Sequence, residues 1–503
     1  MTARIPAALF AAMFLLYFST SFGFFLFGDD ISMLNVTESI VQSHSFSVRD
    51  VTFPASAPGS DGQHYSKYGI GQSLLAIPFY VAGTLVDGVL KPQEIIDSSG
   101  VQRTGTVIYI ACTLTMIAAA AVDVLVYLSA KSLGFSSMAS FLAAVCFGAG
   151  TFVWFYSRTF LAETTSMLAS FGAFYALLTL KNRLRIGPIV AFALLMTLAL
   201  LLRIGNVALL APMAVWLLGK LVLESDLSVK RFVTYLATWS SIVLIGLLAI
   251  AFYNLARFGN VFETGYRAEA NAFTTPLWVG LYGLVLSPGK GLFEYAPILV
   301  VGCIGWLALL RQQRSAAVVI AIVVLANVVL YARWYEWWGG GVWGPRFVLP
   351  ALPFIALGIP AVIDKARGVV QRCLIGALAF VSIGIQVLSV VVPTGTYFQI
   401  MFASPALFDR YLWSPAESPI VAAVQTVASG NFAPDLAPVY YDSASLAVLQ
   451  VAALVVAVVL LVSIARALVH GAAATGAMAS PAPSAEMAEP DEPGSRARTR
   501  SPA

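Results

Sequence analysis

The chain has 503 residues, of which 59% are hydrophobic and 11% charged, with a formal net charge of +4. Soluble domains carry about a quarter charged residues, so this balance, with a mean hydropathy of +0.84, excludes a water-soluble globular fold. No block of Lys and Arg marks a nucleic-acid partner.

Apolar runs long enough to cross a bilayer, about 18 residues or more, recur along the chain and predict an all-α polytopic membrane protein. The first run, 5–27, is too long for the core of a signal peptide and no small-residue cleavage site follows it, which predicts a retained first helix. Further spanning helices are predicted over 104–129, 137–156, 160–180, 188–202, 206–222, 232–256, 291–310, 315–332, 347–363, 373–392 and 446–466. That makes about twelve spans in all. The run 188–223 exceeds one span at about 1.5 Å per residue, and Arg203-Ile204-Gly205-Asn206 divides it into a hairpin.

One run, 70–90, contains Gly71, Pro78 and Gly83 and is bordered closely by charges. Cytoplasmic loops carry an excess of Lys and Arg. If 70–90 does not cross and the N-terminus is inside, the inner turns hold Lys131; Lys181, Arg183 and Arg185; Lys220, Lys230 and Arg231; Arg311 and Arg314; and Lys365, Arg367 and Arg372. We therefore expect 70–90 to be an interfacial or re-entrant helix on the outer face, within a large first outer loop, 28–103. The other outer segments are then 257–290, 333–346 and 393–445, and residues 1–471 form one membrane domain. The Ala/Pro/Ser/Glu/Arg-rich stretch 472–503 cannot bury a core and reads as a disordered cytoplasmic tail.

Cys112, Cys146, Cys303 and Cys373 all lie in apolar runs and read as small core residues rather than a disulfide or metal set. The three histidines are dispersed, no zinc spacing occurs, and no metal or cofactor is expected.

The candidate chemistry lies on the outer side. Asp29 and Asp30 follow the first apolar run. An Asp before a helix commonly caps it; two acids at the mouth of a cavity are also placed to give a carboxylate with a raised pKa, suited to general-base work. Lys67 sits among Tyr65, Ser66 and Tyr68, either as a snorkelling side chain or as a cation near a lipid phosphate. Arg158, Arg203, Arg257, Arg267, Lys290, Arg333 and Arg346 put further cations on the outer face, and together they outline an anion site. In "WYEWWGGGVWGPRF", Trp337 and Trp338 can anchor at the interface or stack on a sugar or prenyl chain. The glycines admit close backbone approach, and Arg346 opens the next helix as a phosphate grip.

These motifs, in this order, resemble the GT-C superfamily of membrane glycosyltransferases, which includes protein O-mannosyltransferases and aminoarabinose transferases. The likeness rests on Asp29-Asp30, "YSKYGIGQSLLAIPFY", "SRTFLAETTSM" with Arg158 and Glu163, "LLRIGN" with Arg203, "YNLARFGNVFETGY", "LSPGKGLFEYAPIL" with Lys290, and "YEWWGGGVWGPRFVLPALPF". It covers about residues 5–465 and looks like a bacterial subgroup. The acidic pair is Asp-Asp where many relatives have Asp-Glu, and no soluble C-terminal domain follows. The resemblance implies a GT-C-like bundle and inverting transfer of a sugar from a polyprenyl-phosphate carrier to a hydroxyl acceptor (glycolipid, polysaccharide or protein) at the outer face of the cytoplasmic membrane. Asp29 or Asp30 would be the base. Lys67, Tyr65, Tyr68, Arg158, Glu163, Arg203, Lys290, Trp337, Trp338 and Arg346 would bind substrate. A transporter or flippase for a lipid-linked anion would use the same basic cavity without a base.

Overall fold

A computed structural model describes residues 4–48, 55–90, 94–96, 102–180, 184–224, 227–393 and 404–478. Lys181, Arg183 and the tail beyond Met478 lie outside the described residues.

The protein is helical and built to span a membrane. Among the described residues, eight helices are long and apolar enough to cross. Seven of these match expected spans and the eighth is Gly71–Val89; the other five expected helices, at Arg4–Ser19, Ser137–Gly150, Ala162–Leu178, Ile186–Leu202 and Leu299–Gln312, are each shorter than about 18 residues, some because an apolar run is interrupted. The run predicted as one helix over 5–27 is helical only in its first part: α1 (Arg4–Ser19) stops where Ser19 and Thr20 turn their hydroxyls onto the carbonyls of Leu16 and Tyr17, residues 20–27 are not helical, and α2 (Gly28–Ser43) starts just beyond the run. Three antiparallel strands, β1 (Ser47–Val48), β2 (Ser56–Pro58) and β3 (His64–Ser66), follow in the order β1-β3-β2. They deliver Lys67 at the end of β3.

Helix α3 (Gly71–Leu90) covers the ambiguous run and meets the length and hydropathy of a span. Its first turn touches the start of α7 (Ala162–Leu178), where Gln72 donates to Phe160 O and accepts from Thr165. Its last turn touches Thr104, which caps α4 (Gly105–Ser132) and also bonds Asp87. Both ends of α3 thus sit at the end of the bundle where α7 and α4 begin, away from Lys131 in the last turn of α4.

The predicted helix 137–156 divides into α5 (Ser137–Gly150) and α6 (Val153–Ser157). The hairpin of α8 (Ile186–Leu202) and α9 (Val207–Leu223) folds as expected about a single turn, Ile204–Asn206. After α10 (Val229–Phe258) and α11 (Leu277–Leu286), the predicted helix 291–310 is broken at Pro297 into α12 (Leu292–Tyr295) and α13 (Leu299–Gln312). Helix α14 (Arg314–Arg333) matches expectation. The predicted helix 347–363 is a 3₁₀ stretch, Arg346–Ala351, then α15 (Leu352–Ala356) and α16 (Ile359–Ile363), since Pro350, Pro353 and Pro360 each withhold an amide donor. Here α13 and α16 meet backbone to backbone: a Cβ on Gly358 would lie 1.9 Å from Gly302 O, so only small residues permit the approach. Helix α17 (Val369–Val391) and the last helix, Ala444–Met478, complete the bundle. The last helix packs on α1 and runs through 472–478, so the chain is still helical where the tail was expected to begin. Inside the bundle, Tyr17 of α1 donates to Asp123 of α4 at 2.7 Å. Cys112 is buried, but Cys303 and Cys373 are exposed on the bundle's outside rather than in its core.

Candidate active site

A cavity of about 570 Å³ opens where α7 and α9 begin and α8 and α14 end. Asp29 enters from the first turn of α2, whose cap is Phe27; neither Asp29 nor Asp30 is the N-cap. Both acids lie where a helix's free amides favour negative charge. Glu163 comes from the first turn of α7, Arg203 from the α8–α9 turn, Lys67 and Tyr68 from the segment after β3, and Arg346 from the start of the 3₁₀ stretch.

These side chains form one ionic network. Arg346 donates through Nη2 to Asp29 Oδ2 at 2.6 Å and through Nε to Glu163 Oε1 at 2.6 Å. Arg203 donates to the same Glu163 oxygen at 2.5 Å. One carboxylate oxygen therefore holds two guanidinium groups side by side, and Glu163 is only 2% exposed. Lys67 donates to Glu269 Oε2 at 2.8 Å and lies 5.3 Å from the centre of the Tyr266 ring. Arg203 stacks over Phe347 at 4.7 Å, which fixes its plane.

Six of the twelve expected site residues line this cavity: Asp29, Lys67, Tyr68, Glu163, Arg203 and Arg346. The other six do not. Asp30 is buried behind Asp29. Tyr65 points to Asp61, to which it donates at 2.7 Å. Arg158 is fully buried over the Phe22 ring and donates to Thr20 O at 3.1 Å and Ser389 O at 2.8 Å, tying α6 to α17 and to the segment after α1. Lys290 does not line the cavity and clamps the Trp/Gly loop: its ammonium donates to Gly340 O at 2.9 Å, to Val342 O and to Gly344 O at 3.5 Å. Burial, together with the nearby Arg346 charge, pushes Lys290 down to about 7. Trp337 is buried against Trp413 and the face of Gly283, and Trp338 packs on Phe408, so this pair anchors the loop instead of lining the cavity.

The cavity also takes residues that had no assigned role. Glu269, Tyr266, Arg257, Trp334 and Glu336 line it. Arg257 was visible as an outer cation. Glu336 stood in plain view in the Trp/Gly stretch, but only the fold shows that its backbone turns it into the cavity while Trp337 turns away.

The two neighbouring acids are driven apart in acidity. Burial alone would raise Asp29, but the Arg346 charge, a hydrogen bond from Tyr68 and the Lys67 charge hold it below the usual carboxylate range. Burial pushes Asp30 well above that range, and the charge of Asp29 adds to it. The acid held low, Asp29, faces the cavity, and the acid pushed up, Asp30, lies buried behind it. Among the described residues no cluster of His, Cys, Asp and Glu could hold a metal.

No family model matches the chain, and no curated protein matches it. Solved structures similar to it include the crystal structure of ArnT from Cupriavidus metallidurans bound to undecaprenyl phosphate, at 14% identity over 95% of this chain and 80% of that one, with a TM-score of 0.47. The same protein in its apo state is similar at 13% identity over 95% and 79% of the two chains, with a TM-score of 0.45.

Proposed function

We propose that the chain is an inverting membrane glycosyltransferase that moves a sugar from a polyprenyl-phosphate carrier to a hydroxyl acceptor at the outer face of the cytoplasmic membrane. The observation that carries this reading is the joining, in one cavity, of an ionised carboxylate with Lys67, Arg203 and Arg346, beside the exposed apolar side chains of Ile204, Val207 and Phe262. A lipid phosphate needs a cationic head site and an apolar approach, and sugar transfer needs a base. The motif resemblance to the GT-C superfamily points the same way.

In the proposed reaction Asp29 takes the proton of the acceptor hydroxyl as its oxygen attacks the anomeric carbon. The new glycosidic bond forms, the bond from the anomeric carbon to the phosphate oxygen breaks, and polyprenyl phosphate leaves with the electron pair. Arg203, Arg346 and Lys67 stabilise the charge that grows on the leaving phosphate, in a site where fixed cations need no reorganisation. Glu163 is a positioning residue that holds the two guanidinium groups at one spot before the phosphate arrives. The outer orientation rests on the basic turns at the far end of the bundle and on α3, whose two ends stay at the site end.

The test uses purified protein in nanodiscs with undecaprenyl-phosphate hexoses as donors and pooled envelope glycolipids as acceptors. Wild type should form a glycosidic bond, and Asp29→Asn should bind the donor and fail to transfer. Movement of the intact donor across the bilayer, with no bond formed, would replace this reading with a flippase.

A further inference from the structure

The cavity holds a carboxylate that anion binding does not explain. Of the four acids lining it, Asp29 and Glu163 are paired to Arg346, Glu163 also to Arg203, and Glu269 to Lys67. Glu336 forms no ion pair among the described residues, although Arg346, Asp29, Lys67 and Glu269 are all near enough to act on its charge. Lys290, a further cation on which the Glu336 charge acts, donates its ammonium to the carbonyls of Gly340, Val342 and Gly344. An unpaired carboxylate in a phosphate site repels the phosphate, so its placement calls for a ligand group of another kind.

The ground next to Glu336 is bare. Gly339, Gly340 and Gly341 line the cavity beside it. Gly339 and Gly340 have φ of +73° and +84°, a left-handed region in which side chains are strained, and a Cβ on Gly340 would meet nothing within 4 Å. The Lys290 clamp holds this peptide floor in place from below. The aromatic rings of Trp334 and Tyr266 close the adjoining wall and lie 6.4 Å apart, edge to face. A carboxylate acceptor, a flat floor of peptide groups and an aromatic wall suit a polyhydroxylated ring, which needs acceptors for its hydroxyls and apolar surface for its C–H faces.

We propose that Glu336 and the Gly339–Gly341 floor form the subsite for the donor's sugar ring, with Glu336 accepting hydrogen bonds from ring hydroxyls and so determining which sugar is transferred. This rests on the proposed glycosyltransferase reading. Burial raises the Glu336 carboxyl and Arg346 opposes the shift; in either protonation state the group retains acceptor oxygens for a hydroxyl.

The experiment separates sugar recognition from phosphate recognition. Wild type, Glu336→Gln and Glu336→Ala, each checked for unchanged thermal stability in detergent, are titrated with undecaprenyl phosphate and with undecaprenyl phosphate carrying glucose, mannose or galactose. The expected result is a roughly ten- to hundred-fold loss of affinity for the preferred sugar-bearing lipid in Glu336→Ala. Affinity for the bare lipid should be unchanged or tighter, and wild-type preference among the three sugars should be flattened in Glu336→Ala and partly kept in Glu336→Gln, whose amide oxygen still accepts. An equal loss for bare and sugar-bearing lipids would make Glu336 part of the phosphate site and overturn the proposal, as would unchanged discrimination among the sugars. Wild type that binds neither kind of lipid would overturn the glycosyltransferase reading itself. A kcat for Glu336→Gln that collapses at intact donor affinity and intact discrimination would make Glu336, not Asp29, the base.

Discussion

Arg346 and Asp29, 317 residues apart in sequence, meet in a 2.6 Å ion pair in the cavity, and Nε of the same guanidinium holds Glu163. A planar fork can satisfy both carboxylates at once, whereas a lysine offers one compact charge. Losing a charge-assisted contact in a dry site costs about 1.5–3 kcal/mol, roughly a ten- to hundred-fold change in affinity. Arg346→Ala should bind undecaprenyl phosphate weaker than wild type by about that factor, with Arg346→Lys in between. Microscale thermophoresis in detergent measures it. Equal affinity for all three proteins would leave Arg346 as a structural tie between two acids.

The divergence of the acidic pair gives a prediction for Asp29 and Asp30 with opposite signs. General-base contributions are roughly 10²- to 10⁴-fold, so Asp29→Asn should transfer slower by that range at unchanged donor affinity, while Asp30→Asn should retain most of the rate. In the folded chain Asp30 keeps its proton above the pH at which the unfolded chain has released it, so its contribution to stability falls as pH rises from about 4 toward neutrality. Asp29 does the reverse: its lowered pKa makes a contribution that is present near neutrality and lost as pH falls through its folded value. In thermal scans Asp30→Asn should gain on wild type as pH rises above about 4, whereas Asp29→Asn should gain on wild type only as pH falls below about 4. Parallel curves for the two variants would contradict the assignment.

Lys290→Met should show itself in folding before binding. Three carbonyls of the Trp/Gly loop lose their donor, and unsatisfied buried groups cost about 1–3 kcal/mol each. The expected outcome is a lower melting temperature, with lipid-phosphate affinity, measured well below that temperature, reduced less than in Arg346→Ala. A Lys290→Met protein of wild-type stability and weakened affinity would restore Lys290 as a phosphate ligand.

The topology is open to a direct check. A reporter fused after Asp97 should read as external and one after Lys365 as cytoplasmic. A cytoplasmic reading after Asp97 would send α3 across the membrane and turn the site inward.

Apolar runs and basic turns disclosed the helical class and the α8–α9 hairpin, since both follow from local hydropathy. They concealed the breaks at Ser19, Gly150, Pro297 and Pro350, where a run stays apolar while its backbone stops being helical. Charge out of place pointed to Lys67, Arg203 and Arg346, which the fold brings into one cavity, because a cation in a segment expected on the outer side departs from the general bias. The same cue misled at Arg158 and Lys290, whose charges meet backbone carbonyls. A lone cation's partner is a tertiary fact, and carbonyls leave no trace in residue type. Glu336 went unassigned for the converse reason: adjacent residues of one loop alternate between cavity and core, and the residues 336 to 338 differ in role through backbone direction alone.

The span between Asp29 and Arg346 also sets an order of events at the ribosome. At roughly 5–20 residues per second, Arg346 emerges about fifteen seconds to a minute after Asp29, given the 317 intervening positions. During that interval Glu163 and Arg203 are already inserted and can join each other, while Asp29 waits at the bilayer surface for its counter-charge. The cavity therefore cannot close its charge balance until the last third of the polypeptide is made. A chain truncated before α14 lacks the Arg346 partner of Asp29, and only Tyr68 and Lys67 remain to act on that acid.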